Sequence, residues 1–141
     1  MIDHLTLHVK DIEKSKKFYT AALKPLGYIM KSDHPEWKLA GYGSKARASL
    51  WVYGDGMTQK THVALVAKSV AAVKAFHKAA LKACGKDNGK AGYRKNYHAG
   101  YYAAFVLDTD GHNIEVVFHD KSKMNKPARP GKAAKNAAKK K

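Results

Sequence analysis

Residues His4–Gly27 align without a gap onto His62–Gly85, 58 positions further on, and ten of the 24 pairs are identical. The shared positions include His4/His62, Leu7/Leu65, Lys10/Lys68, Phe18/Phe76, the run "AALK" and the closing Gly27/Gly85. A match of that length restricts the fold to two copies of one supersecondary unit.

Each copy carries the same plan. It opens on a short strand rich in branched residues, "IDHLTLHV" or "THVALVA". A helix follows in each. Asp11 caps the first, with Ile12, Tyr19, Leu23 and Leu26 at helical spacing; Ser69 caps the second, with Val70, Val73, His77, Ala80 and Leu81 as its stripe. Gly27 and Gly85 suit left-handed caps at the C-termini. Three strand-like runs close copy one, at about 28–32, 37–42 and 48–53. In copy two the first run, near 85–88, is obscure; the others span 101–107 and 113–118. Between these two, "DTDG" reads as a hairpin turn. The expected fold class is therefore α+β, with two βαβββ modules and eight strands. Module one covers 1–57 and module two 58–120. The stretch "KDNGKAGYRKNYHAG" fits no element and is expected to be a loop over a site.

Alternation along the strands sorts the side chains. His4, Thr6 and His8 share one face of the first strand, while Leu5, Leu7 and Val9 share the other. His62 and Ala64 take the matching inner face in copy two. On the last strand Ile114, Val116 and Phe118 point one way, and Asn113, Glu115 and Val117 the other. If the copies pair about an approximate twofold axis, His4 and His62 become equivalent and Glu115 approaches them. Two imidazoles and one carboxylate suit Zn, Fe, Mn or Ni and leave coordination positions open for substrate and water. The plainer reading of any single strand histidine is a hydrogen-bonded core or rim residue.

Charge divides the chain in two. The net charge is +16, and residues 121–141 hold eight lysines, one arginine and no acid, leaving +7 for the rest. That tail has no apolar period and reads as a disordered extension. Its chemistry allows nonspecific attraction to nucleic acid or anionic surfaces by counterion release; the alternative is a solvated tail. No apolar run approaches the ~20 residues of a membrane span, and the start lacks the pattern of a secretory signal. A single cysteine, Cys84, excludes an internal disulfide and fits a reducing compartment, so a cytoplasmic location is expected.

With these residues in view, "DHLTLHVKDIEKSKKFYTAALKPLGY", "THVALVA" and "DTDGHNIEVVF" resemble the vicinal oxygen chelate superfamily, which groups glyoxalase I, extradiol dioxygenases, fosfomycin resistance transferases, methylmalonyl-CoA epimerase and bleomycin resistance proteins. The likeness covers about residues 1–120. It implies paired βαβββ modules forming an eight-stranded, cup-shaped mixed sheet around a divalent metal, with His4, His62 and Glu115 as the ligands. It also implies a homodimer, sometimes with modules exchanged between chains. Glyoxalase I enzymes add a fourth ligand on the last strand of module one. Here that position falls on Leu50 or its neighbours Ser49 and Trp51, none a good ligand, which disfavours glyoxalase I proper.

The chemistry suggested by the family is chelation of two neighbouring substrate oxygens and stabilisation of an oxyanion. Candidates for proton transfer are His8, His98 and Tyr101; candidates for substrate contact are Thr6, Trp51 and Tyr97. Arg94 and Lys95 read as solvated loop residues that can attract an anion. His112 is expected to point to solvent from its turn, and His34, His77 and His119 to join no constellation. The leading expectation is a metal-dependent enzyme on a small oxygenated molecule, of lyase, isomerase, thiol transferase or dioxygenase type. One alternative is a metal-free drug-binding protein, against which the basic body argues for any cationic drug. Another is a nucleic-acid-associated protein acting through 121–141.

Overall fold

The computed structural model describes residues 1–44, 46–57 and 59–124. Module one runs β1 (Leu5–His8), α1 (Ile12–Ala22), a 3-10 turn (Lys24–Leu26), β2 (Ile29–His34), a second 3-10 turn (Pro35–Trp37), β3 (Leu39–Gly43) and β4 (Leu50–Tyr53). Module two runs β5 (His62–Val66), α2 (Val70–Lys82), β6 (Lys86–Tyr93), β7 (Tyr101–Leu107) and β8 (Asn113–His119), followed by the helical turn α3 (Lys121–Met124). The basic tail, read from the sequence as a disordered extension, begins with this helical turn; residues 125–141 lie outside the described residues.

The strands form two four-stranded mixed sheets, ordered β1-β4-β3-β2 and β5-β8-β7-β6. In each, the first strand pairs in parallel with the last, β1 with β4 and β5 with β8, and the other pairings are antiparallel. The repeat is thus legible in the topology. The eight strands do not close into one sheet within a single chain. What joins the modules is a common core: Phe18, Tyr19 and Ala22 of α1 and Val73, Phe76 and Ala80 of α2 pack in one buried cluster with Leu7, Val52, Val106, Ile114 and Val116. Burial of that apolar surface is the principal stabilising term. Each sheet gives one face to this core. The opposite faces, carrying Thr6 and His8 in one sheet and His62 and Ala64 in the other, remain open.

The N-caps behave as the sequence requires. The Asp11 side chain accepts from the Glu13 and Lys14 amides, and Ser69 accepts from Ala72. Gly27 is left-handed with φ 77°. At the end of α2 the left-handed residue is Cys84, φ 73°, rather than Gly85. Gly85 answers a different need. A Cβ there would sit 2.5 Å from Val106, 2.7 Å from Phe18 and 2.8 Å from the Ala80 carbonyl oxygen, so the absence of a side chain lets the chain pass between helix and sheet.

The first half of the expected loop is a strand instead. β6 spans eight residues, and it is hidden in the sequence because it is a polar edge strand, paired only with β7 and irregular around Gly89 and Gly92. Trp37 lies in the second 3-10 turn and is 62% exposed, so it neither begins a strand nor packs in the core.

His112 is buried, not solvent-facing. Its Nδ1 accepts from the Thr61 amide at 3.0 Å, and its Nε2–H donates to the His8 carbonyl at 2.8 Å. One imidazole thereby ties the end of β1 to the entry of β5. The same turn is clamped by Asp108, whose buried carboxylate accepts from the amides of Asp110 (2.9 Å) and His112 (2.8 Å) and from the Tyr19 hydroxyl (2.5 Å). Burial, then the Asp108 charge, pushes the Tyr19 phenol well above its ordinary value. Among the described residues no helix is long and apolar enough to cross a membrane.

Candidate metal centre

Parallel pairing of β5 with β8 sets Ala64 opposite Glu115 and His62 opposite Asn113. Two-residue periodicity then brings the side chains of His62 and Glu115 onto the same open face, where His62 Nε2 lies 3.1 Å from Glu115 Oε2. Glu115 is 4% exposed. Its other oxygen, Oε1, accepts a short hydrogen bond from the Tyr101 hydroxyl, which reaches across from β7. The Phe105 ring, opposite Glu115 in the β7–β8 register, stacks against the His62 ring at 6.3 Å and 22°.

The tautomer of His62 follows from its surroundings. Its Nδ1 lies 3.0 Å from the Asn113 carbonyl, which only accepts, so Nδ1 carries the proton. In the neutral ring Nε2 then turns a lone pair toward a carboxylate oxygen. Two acceptors at 3.1 Å repel unless a cation or a second proton stands between them. That separation suits two ligands of one ion with bonds of about 2.0–2.2 Å, and the backbone bond to Nδ1 is the outer-shell contact such a ligand carries. The donor pair fits a divalent metal.

His4 is prepared in the same way. It precedes β1, is exposed, and its Nδ1 lies 2.7 Å from the Asp3 carboxylate, leaving Nε2 free. That hydrogen bond holds the Asp3 carboxyl below its usual range. His4 borders a recess with Lys31, Ser32 and Trp51, on the module-one sheet. It does not join His62 and Glu115 in this chain: no group of three or more His, Cys, Asp or Glu side chains able to hold a metal forms among the described residues.

Other candidates divide between the two open faces. Thr6 pairs with Trp51 and His8 with Tyr53 across β1–β4. His8 Nδ1 lies 2.7 Å from Asp55 Oδ2, and the His8 ring meets Tyr53 edge-on at 5.7 Å. Since Thr6 and Ala64 are equivalent in the repeat, Trp51 is the module-one counterpart of Glu115; Leu50 is buried in the core. The expected position of a fourth ligand is thus Trp51, one residue along.

Tyr97, His98 and Tyr101 cluster on the module-two side. Tyr97 and His98 each meet the Tyr101 ring edge-on, at 5.0 Å and 5.1 Å. His119, which the sequence left without partners, stacks on His98 at 5.2 Å and meets the Tyr101 ring edge-on at 5.4 Å. His98 has both ring nitrogens engaged, Nδ1 by the Ala99 carbonyl and Nε2 by His119. It supports Tyr101 from behind. His77 also has a partner, Asp87 at 2.9 Å. No sequence pattern foretold these pairs, because the first needs the β6–β7 loop beside the end of β8 and the second needs α2 laid against β6.

Burial and then the hydrogen bond to Glu115 push the Tyr101 phenol up to about 12. An acid whose value rises on folding keeps its stabilising effect below the unfolded value of ~10 and loses it as pH climbs through the folded value. The difference in absorbance at 295 nm between the metal-free chain and its Tyr101→Phe variant should therefore show one phenol ionising near pH 12. A midpoint near 10 would mean that the Tyr101–Glu115 bond does not form in solution.

The model of the Glyoxalase/Bleomycin resistance protein/Dioxygenase superfamily matches residues 1–116, and the chain belongs to that superfamily. Among solved structures it is similar to a glyoxalase/bleomycin resistance protein from Albidiferax ferrireducens, with 26% identity, 82% of this chain and 97% of that one covered, and a TM-score of 0.72. A glyoxalase I mutant from Zea mays is 25% identical over 82% of this chain and 45% of its own, with a TM-score of 0.57. At 16% identity a lactoylglutathione lyase from Agrobacterium tumefaciens shares the fold, with 84% and 92% covered and a TM-score of 0.61. No curated protein matches the chain.

Proposed function

We propose that this chain is a divalent-metal-dependent enzyme acting on a small oxygenated molecule, with His62 and Glu115 of one copy and His4 of a second copy as ligands. The observation that carries this reading is the His62 Nε2 lying 3.1 Å from a Glu115 carboxylate oxygen while the Asn113 carbonyl engages Nδ1. Membership of the superfamily supports it, and so do the two open sheet faces, each bearing part of the ligand set. A second copy laying its module-one face over the first copy's module-two face joins His4 to the pair. The chain itself is a candidate for lyase, isomerase, thiol transferase or dioxygenase chemistry; the absence of an acid at Trp51 favours three protein ligands over four.

When bound, the metal supplies Lewis-acid stabilisation of charge on two neighbouring substrate oxygens. The protein groups do the rest. The Asn113 carbonyl fixes the His62 tautomer, and the Tyr101 hydroxyl fixes the Glu115 carboxylate. With its proton held above neutral pH, Tyr101 is placed as a donor rather than a base. His8, oriented by Asp55 on the facing sheet, is the imidazole free to move a proton at its Nε2. Thr6, Trp51 and Tyr97 line the two faces as substrate contacts.

The two-copy arrangement is tested by mixing inactive variants. Dimers of His4→Ala alone and of Glu115→Gln alone should take up little metal. Co-refolded hybrids should recover up to one intact site per dimer, read as metal content after dialysis. No recovery in a verified hybrid dimer would place the three ligands in one chain or dissolve the trio.

A further inference from the structure

Arg94 follows β6, in the stretch that reads as a solvated loop. Its guanidinium instead turns back across the strand, Nη2 donating to the Lys90 carbonyl at 2.6 Å, and lies over the Phe105 ring, 5.4 Å from its centroid. β6 is bare where it passes. A Cβ at Gly92 would come 3.2 Å from Arg94 Nη1, and one at Gly89 would come 3.2 Å from Nη2 and 2.9 Å from Phe105. Gly92 pairs with Ala103, Gly89 with Phe105, and Phe105 with Glu115. These residues therefore share the open face that carries the candidate ligands. Arg94, Phe105 and His62 form a layered row on it, cation on ring on imidazole. Among the described residues no carboxylate pairs with Arg94 at salt-bridge distance, although the guanidinium has donors left over after Lys90.

Building on the metal reading above, we propose that Arg94 is a specificity-determining residue that binds a carboxylate on the substrate, so that the substrate class is a small acid bearing two neighbouring oxygens for the metal. A guanidinium held over the Phe105 ring and anchored through Nη2 to the Lys90 carbonyl has little freedom left, and its remaining donors can meet a carboxylate. The clamp stands one aromatic ring away from His62, which sets the anionic group beside the chelating oxygens rather than among them. Positioning of this kind spends remote binding energy on orientation at the reacting centre.

Two probes separate the clamp from the metal site: catechol, which offers only neighbouring oxygens, and 2,3-dihydroxybenzoate, which adds a carboxylate. Their affinities for the zinc-loaded full-length dimer are measured by calorimetry, with zinc content determined on the same samples. In Arg94→Gln the preference for dihydroxybenzoate over catechol should fall about tenfold or more, while catechol binds as before. Arg94→Lys, which keeps the charge without the fork, should fall between. If zinc loads and catechol binds but the preference survives Arg94→Gln, the clamp is overturned and the metal reading stands. If zinc does not load, the metal reading fails and the clamp goes with it.

Discussion

Glu115→Gln should lose stoichiometric metal while keeping the fold. Gln has the same shape, and its amide oxygen can still accept from Tyr101, so the core packing of β8 is unchanged. What disappears is the charge that a divalent ion needs beside the His62 lone pair. Outer-shell changes alone cost metal sites about 10–100-fold in affinity, so removal of a ligand's charge should cost more than about a hundredfold. Calorimetric titration with Zn and Mn reads this directly. The metal-free variant should unfold in urea within about 1 kcal/mol of the metal-free parent, because Gln fills the same space, still accepts from Tyr101 and can donate from its amide to His62 Nε2 across the same 3.1 Å. Full metal occupancy in the variant would defeat the assignment of this centre.

The second large effect belongs to stability. His112→Ala should destabilise the chain by about 3 kcal/mol, the sum of a buried cavity and two backbone groups left without partners. His112 is 1% exposed, and its two bonds reach Thr61 and His8, on opposite modules. The loss should appear in urea as a lower midpoint with an unchanged slope if the modules still unfold together. A slope that falls, with two transitions, would show that His112 is what couples the modules. A midpoint unchanged within about half a kcal/mol would mean that water replaces both bonds at no cost.

How much of this could be read from the sequence depended on the range of the interaction. The repeat, the two caps and the alternation of Leu7 and Val9 against Thr6 and His8 are local and were legible. So was the shared face of His62 and Glu115, since the first and last strand of each module carry it. The strand β6 was not legible, because an edge strand with Gly89 and Gly92 has no apolar alternation to display. His112 was misread for a related reason: a residue directly after a hairpin turn looks exposed until another strand end is laid over it. The Arg94 row needed three separate elements, β5, β6 and β7, in known register. The separation of His4 from the other two candidate ligands also lay beyond the sequence. Equivalence in a repeat fixes which residues match, not whether the matching halves belong to one chain.

Trp51 bears on how such chains can count metal. Each module offers one histidine, but only module two offers an acid at that register. Faces of like kind cannot make the same centre: two of module one bring imidazoles without charge, and two of module two bring twice the carboxylate. Only an unlike pair gives His/His/Glu. Under the two-copy reading, a saturating titration therefore ends at one ion per chain, and a chain left alone holds an unfinished half. Two identical modules would carry no such restriction; an indole at the register where the other module has a carboxylate makes the pairing directional.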